Sequence, residues 1–301
     1  MRAQPPFQIE QDPTGPFAGI AVIRLEQPGS PVVVLDEALI QRIEATLGAL
    51  RGATGLILAS ASQRVFIAGA DLKSIQAMSD PDLDAYLAYG QRVFGMIAGL
   101  PFPTVAAING AALGGGLEIA MHCDALIAAP SPTGKPYPVG LPEAGLSICP
   151  GWGGTNLFPA RMDPADAITR TATGKPMAFD EAVAANFFDA VAPSADVLIP
   201  TCKQWIVARR AMGTPPRDGA PSRWIGHYDA KARVSSALHS LRDSLPSTEP
   251  ARAVLAAVTA GLEKGWQRAL DVERRELVRL RSTPMGKAAI EAFFEKTSRK
   301  T

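Results

Sequence analysis

Two glutamates stand in company that would let them move protons. Glu118 follows Gly114, Gly115 and Gly116 where a strand pattern gives way to a helical one, so its carboxylate lies one helical turn past Gly115. Glu143 follows Gly140, Leu141 and Pro142 in a run poor in other charges. Two carboxylates in a glycine-rich, apolar setting suit general acid and base chemistry. By periodicity alone each also fits a surface glutamate or a helix cap. The glycines offer a second kind of chemistry. Amides at a helix start point outward at the positive end of the dipole, and glycine lets a ligand approach them closely, so such a place can hold an oxyanion. A plain close-packed turn between strand and helix fits the same residues. Phosphate binding is a poorer match, because neither G-x-x-x-x-G-K-[ST] nor G-x-G-x-x-G is present over Gly110 to Gly116. Phe66 to Leu72 forms another turn after a strand pattern, with its own set of amides.

The elements that must position these residues are legible in outline. Gly19 to Leu25, Gly55 to Ala59, Thr104 to Ile108 and Asp124 to Ala129 read as strands. Asp36 caps a helix whose apolar residues Leu39, Ile43, Leu47 and Leu50 share one face. Strands alternating with helical patterns predict a sheet with crossover helices. Pro130 to Pro138 is a loop by its turn residues, and helical patterns dominate from Pro164 onward. Ala208 to Pro221, with Pro215, Pro216 and Gly219, is the best linker or exposed-loop candidate. Beyond it, Val254, Val258, Leu262, Trp266, Leu270, Leu277, Leu280, Ile290, Phe293 and Phe294 describe a helical tail packed by one face.

Bulk properties exclude several classes. With 47% apolar and 20% charged residues over 301 positions, the chain is globular and can bury a substantial core. A formal charge of +1 argues against nucleic acid or an anionic membrane as the main partner. Cys123, Cys149 and Cys202 lack C-x-x-C spacing and read as small buried hydrophobes in a reducing compartment. No apolar stretch reads as a leader or a membrane span, so the expected location is cytoplasmic. His122, His227 and His239 have no partner at metal-ligand spacing and read as ordinary packing or surface histidines. No G-x-S-x-G elbow or Ser/His/Asp order appears.

Three segments jointly resemble the crotonase (enoyl-CoA hydratase/isomerase) superfamily: Phe66 to Leu72 (F-I-A-G-A-D-L), Pro103 to Asp124 (P-T-V-A-A-I-N-G-A-A-L-G-G-G-L-E-I-A-M-H-C-D) and Leu141 to Thr155 (L-P-E-A-G-L-S-I-C-P-G-W-G-G-T). The resemblance runs from about Gly19 to Pro200. It implies an α/β fold, a spiral of repeated β-β-α units followed by a C-terminal helical region. The domain division it suggests is a core over residues 1–207 with the CoA-thioester site, then a linker and helical region over 208–301.

The resemblance also implies roles. The N–H groups of Ala70 and Gly115 form the oxyanion hole for a thioester carbonyl. Glu118 matches the residue that activates water for attack at C3, and Glu143 the one that protonates C2. Ala68, Asp71 and Leu72, with Ala70, match the strand end against which the family lays the adenine of coenzyme A. Gly151 matches the position whose backbone helps hold the second catalytic segment. Lys73 reads as a solvated helix lysine or a contact for a CoA phosphate, and Trp152 as a core residue or a wall of the acyl pocket. Ser147 stands where the family usually has Gly, and the loop from Pro130 to Val139 looks longer than usual; either could shift Glu143 or reshape the pocket. Asn156 replaces a common Gln.

The implied activity is hydration of a trans-2-enoyl-CoA to a 3-hydroxyacyl-CoA, with no metal or redox cofactor, coenzyme A being part of the substrate. The alternatives are an enoyl-CoA delta-isomerase, for which one glutamate can suffice, and a catalytically idle member that binds CoA esters. The long C-terminal helical stretch resembles the hydratase half of multifunctional fatty-acid oxidation proteins. No strand, Gly-rich turn and helix fingerprint follows it, so NAD chemistry is not expected in this chain and a separate 3-hydroxyacyl-CoA dehydrogenase is the partner to expect. A trimer or hexamer is the family habit, which the long tail leaves open.

Overall fold

In the structure, a computed structural model that describes residues 5–30, 32–213, 217–241 and 244–298, the apolar runs become buried strands. The strands are β1 (Ile9–Gln11), β2 (Ile20–Leu25), β3 (Gly55–Ser60), β4 (Val65–Ile67), β5 (Thr104–Ile108), β6 (Ala111–Leu113), β7 (Ala125–Ala128), β8 (Pro138–Gly140), β9 (Met177–Ala178) and β10 (Ala190–Val191). The helices are α1 (Glu37–Ala49), α2 (Leu72–Ala77), α3 (Asp80–Ala98), α4 (Gly115–Met121), α5 (Gly154–Leu157), α6 (Pro164–Thr173), α7 (Phe179–Ala184), α8 (Leu198–Ala211), α9 (Tyr228–Leu241), α10 (Glu249–Lys264), α11 (Trp266–Ser282) and α12 (Pro284–Ser298). Residue contacts divide the chain into two compact units, the first from Met1–Gly69, Arg92–Val139 and Met177–Ser222, the second from Ala70–Gln91, Gly140–Pro176 and Arg223–Thr301.

The first unit holds two sheets, ordered β1-β2-β3-β5-β7-β10 and β4-β6-β8-β9. Successive strands alternate between them: β3, β5 and β7 lie in the larger sheet, and β4, β6 and β8 follow in the smaller one. This alternation is the strand pattern of the expected β-β-α spiral. From β2 to β10 the larger sheet is parallel. Every residue of β3, β5 and β7 is buried, as a parallel sheet covered on both faces requires. On one face Val22, Ile57, Val105 and Ala125 line up in register and share a core with Leu198, Cys202 and Ile206 of α8. Gly55 makes that approach possible, since a Cβ there would fall 2.6 Å from Ile206 Cγ2. Asp36 caps α1 as the sequence predicts, accepting from the Leu39 N–H at 2.7 Å.

Two expectations change. The short strand β6, hidden among small residues, was not legible as a strand. The stretch from Ala208 is no linker at its start: α8 continues to Ala211. Arg217, further along, is docked by its guanidinium, donating to Asp124 Oδ1 at 2.6 Å and Oδ2 at 2.9 Å and to the carbonyls of Leu100 and Phe102. Pro215 and Pro216 lie outside the described residues. Burial alone would raise the Asp124 pKa, but the Arg217 guanidinium and the Thr104 N–H hold it below the usual carboxylate value.

The second unit is largely helical, with α10 packed on α6 and α11 and with α12 against α11. The expected one-faced tail resolves into three helices, separated at Gly265 (φ 89) and near Thr283. Phe293 departs from the expected face, being 42% exposed, while Val254, Val258 and Ile290 are fully buried. Asn156, buried, donates to Thr155 Oγ1 and to the Ala257 carbonyl, so α5 is tied to α10. Gly261 leaves room for it: a Cβ there would lie 1.8 Å from Asn156 Oδ1.

Two stability predictions follow from these contacts. Asp124→Asn strips the charge opposite a largely buried guanidinium and should cost about 3 kcal/mol in urea unfolding; a loss below about 1 kcal/mol would show that water already screens the pair. Gly261→Ala should destabilise by about 2–3 kcal/mol through overpacking. Gly48→Ala, on an exposed position of α1 with nothing within 4 Å of the added Cβ, should instead stabilise by about 0.5–1 kcal/mol. Equal effects at both glycines would mean that helix propensity, and not the Asn156 contact, decides.

Candidate active site

In the first unit, strand β4 and the glycine turn are pressed backbone to backbone. β4 pairs in parallel with β6, Ile67 opposite Ala112. Gly114 has φ 52 and ψ −130, a conformation that only glycine adopts at low cost. A Cβ on Gly116 would stand 2.4 Å from the Ile67 carbonyl oxygen, and one on Gly110 2.3 Å from that of Arg64. The glycine run is therefore required by conformation and by close approach. Gly115 is the first residue of α4, and helix geometry leaves its N–H without an intrahelical acceptor. Glu118 lies in the first turn of α4, is only 1% exposed, and donates its N–H to the Gly114 carbonyl at 2.9 Å. His122 Nδ1 donates to the Glu118 carbonyl, also at 2.9 Å. Ala68, just past β4, is exposed and donates its amide to the Val33 carbonyl.

The second unit carries Ala70, Asp71, Leu72, Glu143 and Gly151. Asp71 caps α2, accepting from the Lys73 N–H at 3.1 Å and the Ser74 hydroxyl at 2.5 Å, so its carboxylate is engaged in the fold. Ala70 and Leu72 are half-buried and Lys73 is exposed, with its ammonium 5.9 Å from the centre of the Phe294 ring. Glu143 opens a 3₁₀ turn, Glu143–Leu146, whose carbonyl at Glu143 accepts from Ile148 N–H. Ser147 ends this turn in the left-handed region at φ 57, a conformation that favours glycine. The Glu143 side chain is buried and its Oε2 has no hydrogen-bond partner among the described residues.

Glu273 of α11, which sequence reasoning missed, is the residue that completes this arrangement. It is 1% exposed. Its Oε1 accepts from the Thr155 N–H at 2.8 Å and the Thr155 hydroxyl at 2.5 Å, and its Oε2 from the Gly153 N–H at 2.5 Å. Burial above all, with the nearby Glu273 charge adding to it, pushes the Glu143 carboxyl up to about 8. Burial raises Glu273 as well, against the lowering effect of its Thr155 and Gly153 donors. Donor geometry separates the two: three donors favour the charged form of Glu273, while Oε2 of Glu143 has no donor to favour its own. A signal for Glu273 was present in the sequence. It falls between Leu270 and Leu277 on the apolar stripe of α11, a single acid where the pattern asks for a hydrophobe.

Gly151 is held to the same helix. Its carbonyl accepts from Gln91 Nε2 at 2.9 Å, and that amide also donates to the Leu270 carbonyl at 3.0 Å. A Cβ on Gly151 would meet Leu277 Cδ1 at 2.8 Å. Trp152 is core: it donates its indole N–H to the Leu87 carbonyl and packs edge-on against Tyr86. The three cysteines are free and buried. Among the described residues no helix is long and apolar enough to cross a membrane.

Comparison with known proteins agrees with this fold. A family model described as enoyl-CoA hydratase/isomerase matches residues 16–212. The fatty acid oxidation complex subunit alpha of Vibrio cholerae is 32% identical over 296 residues, spanning 93% of this chain and 40% of the relative. Its counterpart in Idiomarina loihiensis is 28% identical over 292 residues, spanning 94% of this chain and again 40% of the relative. The chain thus spans about two fifths of the length of these relatives. Among solved structures, the human mitochondrial delta3-delta2-enoyl-CoA isomerase superposes with a TM-score of 0.70 at 22% identity, covering 98% of both chains. An enoyl-CoA hydratase from Bacillus halodurans superposes with a TM-score of 0.66 at 19% identity, covering 94% of this chain and 99% of that one. With about two thirds of its length under one family model, the chain belongs to the enoyl-CoA hydratase/isomerase family, the crotonase superfamily.

Proposed function

We propose that this chain is an enoyl-CoA hydratase that adds water to a trans-2-enoyl-CoA, giving a 3-hydroxyacyl-CoA. The observation that carries the reading is the state of the two glutamates. Both are buried, and burial pushes the Glu143 carboxyl up to about 8, toward the protonated form that a proton donor needs. In the proposed reaction Glu118 takes a proton from water as its oxygen bonds to C3. The C2=C3 electron pair moves toward the thioester, and the resulting enolate is stabilised by the N–H groups of Ala70 and Gly115. Glu143 then delivers its proton to C2. One water has been added, and the proton on Glu118 returns to Glu143 by way of solvent.

The other assignments belong to the same proposal. Ala68, Asp71 and Leu72 receive the coenzyme A part of the substrate, and Gly151 holds the segment after Glu143. No separate cofactor takes part, because neither water addition nor proton transfer changes the oxidation state of the substrate as a whole. The names of the relatives at 28–32% identity, subunits of a fatty acid oxidation complex, support a fatty-acid-derived acyl chain. A cytoplasmic location, a trimer or hexamer of this chain and a separate 3-hydroxyacyl-CoA dehydrogenase taking up the alcohol belong to the same proposal. Isomerisation of a 3-enoyl-CoA is the second reading: Glu143, as a carboxylate with a buried, unbonded Oε2, takes a proton from C2 and then, protonated, returns it to C4 of the dienolate, so that Glu118 is not needed.

Loss of absorbance of the conjugated thioester in crotonyl-CoA tests the first reading directly. Glu118→Gln and Glu143→Gln should each lower kcat by roughly 10²–10⁴-fold. Activity surviving in Glu118→Gln, together with conversion of a 3-enoyl-CoA, would move the assignment to the isomerase. The pH profile carries a sign as well. A donor with a raised pKa is active while protonated, so kcat/KM should hold below pH 8 and fall as pH rises through about 8. A falling limb near pH 5 would mean that Glu143 is ordinarily ionised and cannot be the acid.

A further inference from the structure

The buried pair of Glu143 and Glu273 joins a turn that bears a proposed proton donor to a helix far along the chain. The hydratase reading gives a role to Glu143 and none to Glu273. Glu273 nevertheless has the marks of a residue that must be charged. It sits on the apolar stripe of α11 at 1% exposure, where an uncompensated carboxylate would cost several kcal/mol. Three donors converge on its two oxygens: the N–H groups of Gly153 and Thr155 and the Thr155 hydroxyl. Amide donors cannot reverse their direction, so both oxygens are required as acceptors, which favours the ionised form of the carboxyl against the opposing effect of burial. Glu143 is the opposite case, buried with Oε2 unbonded. Ile148 donates its N–H to the Glu143 carbonyl at 3.2 Å, and the adjoining Cys149 thiol donates to the Glu273 carbonyl at 3.7 Å, so the turn that carries Glu143 is tied to the backbone of Glu273. Interacting carboxyls in such surroundings do not both ionise readily, and the proton favours the one with fewer donors.

We propose that Glu273 is a positioning residue for Glu143: clamped by Gly153 and Thr155, it anchors the segment after the Glu143 turn to α11, and its fixed negative charge keeps the proton of the pair on Glu143. This rests on the reading of Glu143 as proton donor for its catalytic meaning, though not for the location of the proton. The surrounding charges leave that task to Glu273. On the elements packed against the Glu143 turn, Asp166 and Arg170 of α6 bond each other at 2.9 Å. Lys287, Glu291, Glu295 and Lys296 of α12 occupy exposed positions. On α10, which packs on α11, Glu249, Arg252, Glu263 and Lys264 are exposed as well. A helix from the C-terminal region therefore tunes an acid located more than a hundred residues earlier in the chain.

The experiment combines infrared titration of protonated carboxyl groups with kinetics, on the full chain. The native protein at pH 7 should show a protonated-carboxyl band that is missing in Glu143→Gln. In Glu273→Gln the band should persist at low pH but titrate away about one pH unit earlier. In the same variant the falling limb of kcat/KM on crotonyl-CoA should move down by about one unit, roughly tenfold less activity at pH 8, with KM changed less than threefold. A role in stability alone would leave the limb in place. A band that survives in Glu143→Gln and vanishes in Glu273→Gln overturns the proposal, as does an unshifted titration in Glu273→Gln. Should Glu273→Gln fail to fold, the comparison of native with Glu143→Gln still locates the proton and decides between the two carboxyls. The expected bands in a protein that hydrates no enoyl-CoA would support the pairing and sink the hydratase reading alone.

Discussion

A carboxylate buried in a helical unit is the constraint on which the second half of this structure depends. Glu273 is tolerated inside α11 only because the backbone of Gly153 and Thr155 turns its donors toward it. The requirement runs both ways. The amides at the start of α5 belong to a helix of four residues, too short to be stable by itself, and they find their acceptors on α11. Gln91 repeats the logic one step earlier, spanning the Gly151 and Leu270 carbonyls. The segment from Gly151 to Thr155 is thereby fixed at three points to one helix. The turn that carries Glu143 precedes it by only a few residues.

The first unit solves a different problem by a different means. There the backbones of two strands and a helix must come closer than any side chain permits, and glycine supplies the space. Gly110 and Gly116 face the carbonyls of Arg64 and Ile67, while Gly114 takes a dihedral pair closed to other residues. The consequence for chemistry is that α4 begins immediately beside the end of β4, with Glu118 in its first turn and the whole helix buried. Close packing and an exposed amide are often treated as rival explanations of a glycine cluster. Here one arrangement produces both, because a helix that starts in the core must present its first N–H groups at its own end.

Burial also separates the proton affinities of groups that share a sequence type. Asp124, though buried, is held ionised by the Arg217 guanidinium, which donates to both of its oxygens. Glu143 is pushed the other way, by burial and by the negative charge of Glu273. The same side-chain chemistry is thus drawn toward the anion in one unit and toward the neutral acid in the other. What differs is the number and sign of the partners that tertiary structure delivers.

Much of this was legible in the chain itself. Alternating apolar runs marked β2, β3, β5 and β7 nearly to the residue, because fully buried parallel strands leave a dense aliphatic signature that few other structures share. The motif around Gly114 to Glu118 and the short run ending at Glu143 marked both glutamates, because glycines beside a lone acid are rare enough to notice. Strand β6 was not visible, since a three-residue strand of small side chains has no periodicity of its own. The helical end of the supposed linker was missed because proline and glycine just beyond it dominate the local reading. Glu273 was hidden for a deeper reason. The sequence alone determined that an acid interrupts the apolar stripe of α11, but only the tertiary structure decided that backbone donors from Gly153 and Thr155 wait there to receive it, since such donors carry no side-chain identity and exist only where the chain has been folded into place.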